Sequence, residues 1–341
     1  MEPNEPKVEN LQVKRKLASI QKVDDILPIE SDPQKEIAKI LGWQVVVDKD
    51  EYKKEDIVVY FEIDSKLPDD RWCEDMAFYD FRVNTVTVAG VLSQGMIKHI
   101  STFKNFEKKN IGDDVTEELD VTKYDEEERS TSIIENKEFP IHLMPFTDEP
   151  RVQSEPKYLK LFEGKPYVGT LKYDGSSCSF ILNPENKEDL WVCSRNKIVD
   201  PKKKNDFWKI AEKYKIKEKL QKFPDYAIQG EMYGPGIQKN LLGMKELKFA
   251  VFNVYSSSQK RGLDYDELVK VCTDMDLPYV AVIDRGDSFK YTMDDLFALV
   301  KGNYEGTNNQ REGIVFRLAK NWYGQNSRAS FKIISNDFLL K

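Results

Sequence analysis

A polar and acidic segment, residues 125–138 (DEEERSTSIIENKE), separates two parts of this chain that differ in character. Four prolines follow within residues 140–156, and proline interrupts both helices and strands. A chain of 341 residues is also long for one core, since roughly 150 residues is usual for a domain. We therefore predict two domains, residues 1–124 and 151–341, with residues 125–150 as the linker.

The first part contains several short runs of β-type residues. They lie at 44–48 (QVVVD), 56–63 (DIVVYFEI) and 82–91 (RVNTVTVAGV). Short strands connected by loops are typical of a small all-β barrel. A five-stranded OB-type barrel is a candidate, although periodicity does not separate it from other small β-barrels.

The second part shows an α+β pattern, in which apolar strands at 249–255 and 313–318 are separated by helical segments. One helix is predicted over 206–222, where apolar side chains recur at helical spacing. A second is predicted over 293–301, after Thr292, which has the spacing to Asp295 of a helix cap. The fold class expected for the whole chain is therefore an all-β barrel followed by an α+β domain with antiparallel sheets.

Composition excludes several kinds of site. The four cysteines have no CxxC spacing, so we expect reduced, buried thiols rather than a zinc module. Two histidines are too few for a histidine-rich metal site. No apolar run approaches the ~18 residues of a membrane span, and the N-terminus lacks the order of a signal peptide. We expect an intracellular, soluble, cytoplasmic protein whose chemistry uses Lys, Arg, Asp and Glu.

The formal net charge of −7 is distributed unevenly. Residues 1–150 hold 20 Lys and Arg against 34 Asp and Glu, and residues 151–341 hold 32 against 25. An anionic polymer would therefore be attracted to the second part. In the first part it would need a local basic face, for which we list five candidates: Lys14, Arg15, Lys16, Arg82 and Lys98.

Four local patterns in the second part use residue types suited to phosphate chemistry. They are KYDGSS from Lys172, SRN from Ser194, GEMYGPGIQKN from Gly230 and REGIVF from Arg311, and SFK ends at Lys332. A lysine amine can attack phosphorus when it is unprotonated, and carboxylates are typical partners of divalent cations. No GK[ST] sequence occurs, which disfavours a P-loop NTPase.

Taken together and in this order, with FAVFNVY between the third and fourth, the motifs resemble those of the covalent polynucleotide ligases and mRNA capping enzymes. GEMYGPGIQKN is particularly similar to the RNA ligases. Upstream, KEDIVVYFEIDSKLP, VAGVLSQGM and IGDDVTEELDVTKY resemble the OB domain of the Deinococcus and Naegleria type of ATP-dependent RNA ligase. The resemblance implies an OB-fold nucleic-acid-binding domain followed by a nucleotidyltransferase domain.

The resemblance also implies a mechanism. Lys172 would attack the α-phosphate of ATP and become a lysine-AMP phosphoramidate. The AMP would pass to a 5′-phosphate RNA end, and a 3′-OH would then displace it. Asp174, Glu231 and Glu312 would hold the water shell of a divalent ion, Mg²⁺ or Mn²⁺, which keeps much of its hydration. The implied partner is RNA, as a nicked duplex with 3′-OH and 5′-phosphate ends, and the protein would act as a monomer in RNA repair.

Four further residues would bind the nucleotide if the resemblance holds. Phe252 would stack on adenine, and Arg195 would contact the ribose or the incoming strand. Lys332 would neutralise the α-phosphate, and its positive charge would help to lower the pKa of Lys172. Arg151 would orient the triphosphate tail. Because the adenylation motifs all follow residue 150, we expect the first domain to serve the RNA-dependent steps rather than lysine adenylation.

The sequence departs from the family pattern at two positions. Leu171 stands where many relatives have a glutamate that reads adenine, so another group must select the base. The final motif often reads K-x-K, and Arg328 is a candidate for the missing cation beside Lys332.

The alternatives to an RNA ligase are a DNA ligase, a capping guanylyltransferase and a non-catalytic OB-fold binding protein. We expect no trailing OB domain because nine residues follow Lys332, and the retained Lys172, Asp174, Glu231 and Glu312 disfavour the non-catalytic alternative.

Overall fold

The computed structural model describes residues 15–124, 134–145, 147–195, 197–203, 205–320 and 329–340. All strand pairs in its sheets are antiparallel. The expected fold class, a β-barrel followed by an α+β domain with antiparallel sheets, is confirmed. No helix among these described residues is both long and apolar enough to span a membrane.

Over residues 15–124, the first domain is built from short strands and three 3₁₀ segments, Arg71–Tyr79, Ile100–Thr102 and Phe106–Lys108. Its strands are β1 Ala18–Lys22, β2 Asp25–Pro28, β3 Lys35–Ile40, β4 Trp43–Asp48, β5 Ile57–Phe61, β6 Ser65–Lys66, β7 Arg82–Val83, β8 Thr85–Val88, β9 Val91–Gln94, β10 Met96–His99 and β11 Thr122–Lys123. The predicted run 82–91 covers β7, β8 and the start of β9, and the chain turns between β8 and β9, where Ala89 and Gly90 have left-handed φ angles of 51° and 77°.

Strand β5 lies at the centre of this domain and is buried on both faces. Val58 and Tyr60 pack in one apolar cluster, whereas Val59 and Phe61 pack in another. This division follows from the two-residue period of a strand. It explains why the sequence of β5 is continuously apolar rather than alternating.

Within the described residues, the second domain contains two main sheets and six helices. Its strands are β12 Ile134–Glu138, β13 Tyr167–Lys172, β14 Ser176–Leu182, β15 Leu190–Cys193, β16 Lys197–Val199, β17 Tyr226–Tyr233, β18 Lys248–Ser256, β19 Arg261–Gly262, β20 Val282–Gly286, β21 Gly313–Leu318 and β22 Ser330–Ile334. Its helices are α1 Lys157–Phe162, α2 Asp206–Lys213, α3 Ile216–Lys222, α4 Tyr265–Asp274, α5 Met293–Val300 and α6 Asn336–Leu339.

The two sheets of this domain have seven and four strands. Their orders are β12-β16-β15-β14-β17-β18-β19 and β20-β13-β21-β22. Helices α2, α3 and α4 cover one face of the seven-stranded sheet, and α1 and α5 cover one face of the four-stranded sheet. The other faces meet where Val168 of β13 packs near Ala250 of β18. A cleft between the sheets opens beside this contact.

Two predicted helices differ in detail from the structure. The segment 206–222 is broken into α2 and α3, because Lys215 takes a left-handed φ of 50°. The helix predicted over 293–301 is α5, and Thr292 and Asp295 form the expected reciprocal cap. The four cysteines are buried free thiols, as expected.

The interval predicted as a linker, 125–150, is more than a connection. It contains β12, which pairs with β16 at the edge of the seven-stranded sheet. An edge strand bonds to one neighbour only and needs no continuous apolar run. The polar composition of this segment therefore hid a strand of the second domain.

The two domains contact one another through several hydrogen bonds. The Gly42 amide donates to the Gln153 carbonyl at 2.8 Å, and the Trp43 indole donates to Ser154 Oγ at 3.1 Å. Gln94 Nε2 donates to Asn336 Oδ1 at 3.2 Å. These contacts place the barrel against the start and the end of the second domain, close to the cleft.

Candidate active site

Lys172 is the last residue of β13, at the mouth of the cleft. Tyr167 packs with the cluster under α1 and α5, whereas Val168 packs toward the other sheet. Lys172 is four residues after Val168, so the two-residue period of the strand puts it on the same side, facing the cleft. Lys172 pairs with Gly313 of β21, which places Glu312 beside it.

Gly175 allows the turn after Lys172 to approach β17 closely. A Cβ at this position would overlap the Met232 carbonyl oxygen and would lie 2.9 Å from Glu231 Cγ. Any larger residue would push the turn away from β17. The glycine of KYDGSS therefore holds Asp174 in the turn close to Glu231 on the neighbouring strand.

Three carboxylates surround the Lys172 amine. Its Nζ lies 2.5 Å from Glu312 Oε1, and Glu231 and Asp174 also act on its charge. Burial by itself would lower the pKa of Lys172, but the three carboxylates outweigh burial and the pKa is raised. The expectation of a pKa lowered by neighbouring cations is therefore wrong for the protein alone, because carboxylates are nearer to this amine.

Lys332 on β22 has the opposite environment. Burial, together with Arg151, Lys172 and Arg15, lowers its pKa to about 8, although Asp148 opposes the shift. Its Nζ donates to Asp148 Oδ1 at 3.0 Å. Asp148 also accepts from Arg195 Nη2 at 2.7 Å, so one carboxylate joins two of the predicted cations.

Arg151 connects the site to the first domain. Its backbone pairs with Lys332, and its Nη2 donates to Asp64 Oδ2 at 2.6 Å. Arg15 Nη1 donates to the same carboxylate oxygen at 3.1 Å. Burial tends to raise the pKa of Asp64, but the two guanidinium groups outweigh it and hold the pKa well below its ordinary value.

A cavity of about 470 Å³ contains most of these groups. Seven of the eight predicted site residues line it, and they are Lys172, Asp174, Arg195, Glu231, Phe252, Glu312 and Lys332. Arg151 is not among the lining residues, although its partner Asp64 is. Phe252 is half-buried on β18, on the side of the strand that faces the four-stranded sheet. The sequence motifs therefore converge in one cavity.

Several lining residues were missed at the sequence level. Asp64, Lys123 and Tyr124 come from the first domain, which had been expected to stand apart from the adenylation site. Asp148 and Glu149 come from the end of the interval 125–150 that was predicted to be linker. Their only local signal was their position just before Pro150 and Arg151.

A buried polar network lies beside the cavity. Arg317 donates to Glu149 Oε1 and to Thr170 Oγ1, both at 3.2 Å, and Ser330 Oγ donates to Glu149 Oε2. Burial lowers the pKa of Arg317, and Glu149 opposes this shift. Arg328, the candidate for the missing cation, lies outside the described residues, as do Lys14 and Asn196.

The basic face expected on the first domain is not formed by free cations. Arg15 binds Glu62 and Asp64, and Arg82 lies 3.1 Å from Asp80. Lys98 lies 2.9 Å from Asp75. Acidic residues near each of these three cations offset their charge, whereas Lys16 Nζ donates to the Gly112 carbonyl at 2.6 Å.

Comparison with known proteins was made on both sequence and structure. A model of the RNA ligase family matches residues 165–334, and a model of an OB-fold domain matches residues 17–100. A comparison with curated protein sequences found no match.

The chain is similar to solved structures of Naegleria gruberi RNA ligase. An apo variant of that enzyme is 30% identical, with a TM-score of 0.85 over 95% of this chain and 97% of that chain. A variant with ATP and Mn is 30% identical, with a TM-score of 0.85 over 95% and 98%. The enzyme with pyrophosphate is 29% identical, with a TM-score of 0.85 over 96% and 98%.

Proposed function

The chain belongs to the RNA ligase family, and on that premise we propose that it joins the 3′-OH and 5′-phosphate ends of a nicked RNA duplex. It is an ATP-dependent RNA ligase, and the finer proposal concerns its substrate and its role in RNA repair. We propose that it acts as a cytoplasmic monomer, with residues 1–124 as the OB domain and 151–341 as the catalytic domain.

One observation supports this proposal most strongly. The Lys172 amine lies among Asp174, Glu231 and Glu312, while Lys332 and Arg195 share Asp148 in the same cavity. Phosphoryl transfer needs a nucleophile near carboxylates that can hold a cation, and separate positive groups that stabilise the phosphate. This cavity contains both. A surface lysine in a turn would have neither.

In the first step, Lys172 Nζ attacks the α-phosphate of ATP, the bond to the β-phosphate oxygen breaks, and pyrophosphate leaves. Before attack the ammonium must lose a proton, and Glu312 Oε1 at 2.5 Å is within reach to accept it. Lys332 stabilises the charge that develops on the α-phosphate, and Arg151 orients the leaving pyrophosphate. Phe252 stacks on the adenine.

The donor set fits a divalent cation held through water. Asp174, Glu231 and Glu312 surround one positive charge already, that of the Lys172 ammonium. Among the described residues no group of three or more His, Cys, Asp or Glu is arranged to ligate a metal ion directly. Oxygen donors that act through water suit Mg²⁺ and Mn²⁺. A bound ion would supply positive charge that offsets the carboxylates and the phosphate oxygens.

The remaining steps use the exposed side of the cavity. The 5′-phosphate of the RNA attacks the lysine adenylate, and Lys172 leaves. The neighbouring 3′-OH then attacks the adenylylated 5′ end, and AMP leaves. Arg195 is 43% exposed at this side, where an incoming strand can reach it. The second domain carries the excess of Lys and Arg, which favours its association with RNA phosphates.

Nicked duplexes with RNA or DNA on either side of the nick test the proposal, with α-labelled ATP to follow AMP. We expect label on Lys172, an adenylylated 5′ end as an intermediate, and sealing when RNA provides both ends. Lys172→Met should abolish labelling, since this side chain forms the phosphoramidate. Lys209→Met is the matched control, because Lys209 is 63% exposed and pairs with Asp206 on α2.

Three outcomes would contradict the proposal. They are an AMP adduct mapped by mass spectrometry to another residue, full activity in excess EDTA, and sealing of DNA nicks but not of RNA nicks. The first would refute the nucleophile, the second the metal and the third the substrate class.

A further inference from the structure

Tyr304 is a buried side chain next to the carboxylate cluster, in the loop between α5 and β21. It is 3% exposed, and its hydroxyl makes three hydrogen bonds to main-chain groups. The Asp174 and Glu312 amides donate to the hydroxyl oxygen, each at 3.1 Å. The hydroxyl donates to the Lys172 carbonyl at 3.2 Å.

These three bonds use the full capacity of the phenol group. A tyrosine hydroxyl has one proton to donate and two lone pairs to accept with. Here each is used, and every partner belongs to one of the two sequence motifs around the reactive lysine. No other residue type among the twenty provides this combination at the end of a rigid ring.

The position of the hydroxyl explains why the bonds are needed. The ladder between β13 and β21 runs to the pair of Lys172 and Gly313. Just beyond this pair the chain turns at Asp174 on one strand, and Glu312 precedes the other. The Tyr304 hydroxyl lies between these segments and bonds to both. This side chain therefore connects the two strands just beyond the point where their main-chain pairing ends.

Contacts around the loop hold Tyr304 in place. The Tyr304 amide donates to the Asn309 carbonyl at 2.9 Å, and Thr307 Oγ1 donates to the Tyr304 carbonyl at 3.0 Å. Asn309 Nδ2 donates to the Leu241 carbonyl at 2.8 Å. The ring therefore enters the site from a loop that is fixed at several points.

We propose that Tyr304 is a positioning residue for lysine adenylation, which sets the spacing of Lys172, Asp174 and Glu312 and so the affinity for the divalent cation. The inference rests on the proposed function, because it assigns the carboxylates to that cation. In this role Tyr304 itself contacts neither the nucleotide nor the metal. It acts through the main chain of the residues that do.

Removing the hydroxyl as Tyr304→Phe keeps the ring and removes the hydrogen bonds from this hydroxyl to three part-buried main-chain groups. We expect the Mn²⁺ dissociation constant to rise about tenfold or more, since loss of a group that orients metal-binding residues has effects of that size. Mn²⁺ binding is measured by electron paramagnetic resonance in the presence of α,β-methylene-ATP, which cannot transfer AMP. The rate of Lys172-AMP formation from ATP should fall by about ten- to a hundredfold.

Tyr52→Phe is the matched control. Tyr52 is 5% exposed in the first domain, and its hydroxyl donates to the Ile97 carbonyl at 3.1 Å. This variant makes the same chemical change in a buried place away from the cavity. It should bind Mn²⁺ and form the adduct as the wild type does.

A second variant keeps the test decisive if Tyr304→Phe does not fold. Thr307→Val removes the hydroxyl that donates to the Tyr304 carbonyl and accepts from the Asn309 amide. It should weaken Mn²⁺ binding in the same direction by a smaller factor.

Mn²⁺ affinity and adenylation rate equal to those of Tyr52→Phe would overturn the inference, even if the melting temperature of Tyr304→Phe fell. Unchanged Mn²⁺ affinity in Thr307→Val would overturn it where Tyr304→Phe cannot be made. The affinity measurement needs no turnover. A wild-type protein that bound Mn²⁺ and nucleotide but formed no adduct would therefore contradict the proposed function, and Tyr304 would still be judged on affinity.

Discussion

Each cationic side chain predicted for the site is bound to a carboxylate. Lys172 binds Glu312, Lys332 and Arg195 bind Asp148, and Arg151 binds Asp64. Buried or half-buried charges need such partners, because an unpaired charge loses most of its hydration without compensation. A triphosphate that enters this cavity would therefore exchange one set of ionic partners for another.

Lys332 should make nucleotide binding depend on pH. Its pKa of about 8 means that its charge is lost as the pH rises through that value, whereas an ordinary lysine stays charged. Phosphate favours the charged form, so binding of α,β-methylene-ATP should weaken about tenfold between about pH 7 and about pH 9. Isothermal titration calorimetry across this range measures it.

Lys332→Arg is the control for the pH effect. A guanidinium group stays protonated far above this range, so nucleotide affinity should be flat between about pH 7 and about pH 9. The same decline in Lys332→Arg as in the wild type would show that another group causes it, and Lys332 would lose this role.

Among the elements, helix α5 and the loop after it are fixed by Arg311. Its Nε donates to the Val300 carbonyl at 3.0 Å, and its Nη2 donates to the Leu299 and Lys301 carbonyls at 2.5 and 2.8 Å. The last carbonyls of a helix have no partner within the helix. Arg311 supplies those partners and directly precedes Glu312, so it connects the end of α5 to the active site.

Arg311→Met should therefore destabilise the protein. Loss of three bonds to carbonyls at the end of α5, two of them part-buried, should lower the free energy of unfolding by about 1–3 kcal/mol, seen as a lower urea midpoint by circular dichroism. Arg285→Met is the matched control, because Arg285 forms an exposed pair with Asp266 and such pairs contribute about 0–1 kcal/mol. Equal midpoints for the two variants would contradict the capping role of Arg311.

At the scale of the whole molecule, the first domain forms part of the cavity that contains Lys172. Asp64, Lys123 and Tyr124 line it, and Asp64 holds the Arg151 guanidinium. The barrel was expected to serve only the RNA-dependent steps. Its contacts argue instead that lysine adenylation also depends on it, since two Arg151 nitrogens are already buried without a partner.

Asp64→Ala tests this dependence in the full-length chain. Without the carboxylate, Arg151 should lose its position, and Lys172-AMP formation should fall about tenfold or more because a part-buried ion pair is broken and the Arg151 guanidinium stays buried. Sealing of a nick that already carries the AMP should change little, since no triphosphate takes part. Gel assays of the two reactions separate the effects.

Asp25→Ala is the control, because Asp25 forms an exposed pair with Lys54 at 3.5 Å, away from the cavity. Should Asp64→Ala slow both reactions equally, the barrel would act through the stability of the protein rather than through Arg151. Normal adenylation in Asp64→Ala would restore the expectation that the barrel acts only on RNA.

The fold class and most of the site could be predicted from the sequence because their signals are local. Apolar strands, helix caps and the order of motifs are properties of neighbouring residues, and Lys172, Asp174, Glu231, Phe252 and Glu312 each lie within such a segment. Strands β18 and β21 were located to within a residue or two for the same reason.

What tertiary structure decided depends on residues far apart in the chain. Tyr304 is 132 residues from Lys172, and Asp64 is 87 residues from Arg151, so no local pattern links them. The polar strand β12 is a similar case, since its place at the edge of a sheet is set only when the sheet forms. The same holds for Lys332, whose partner Asp148 is brought near it only by the folded chain. Tertiary structure also decided the sign of the pKa shift at Lys172, because the shift depends on which charges packing brings nearest to the amine.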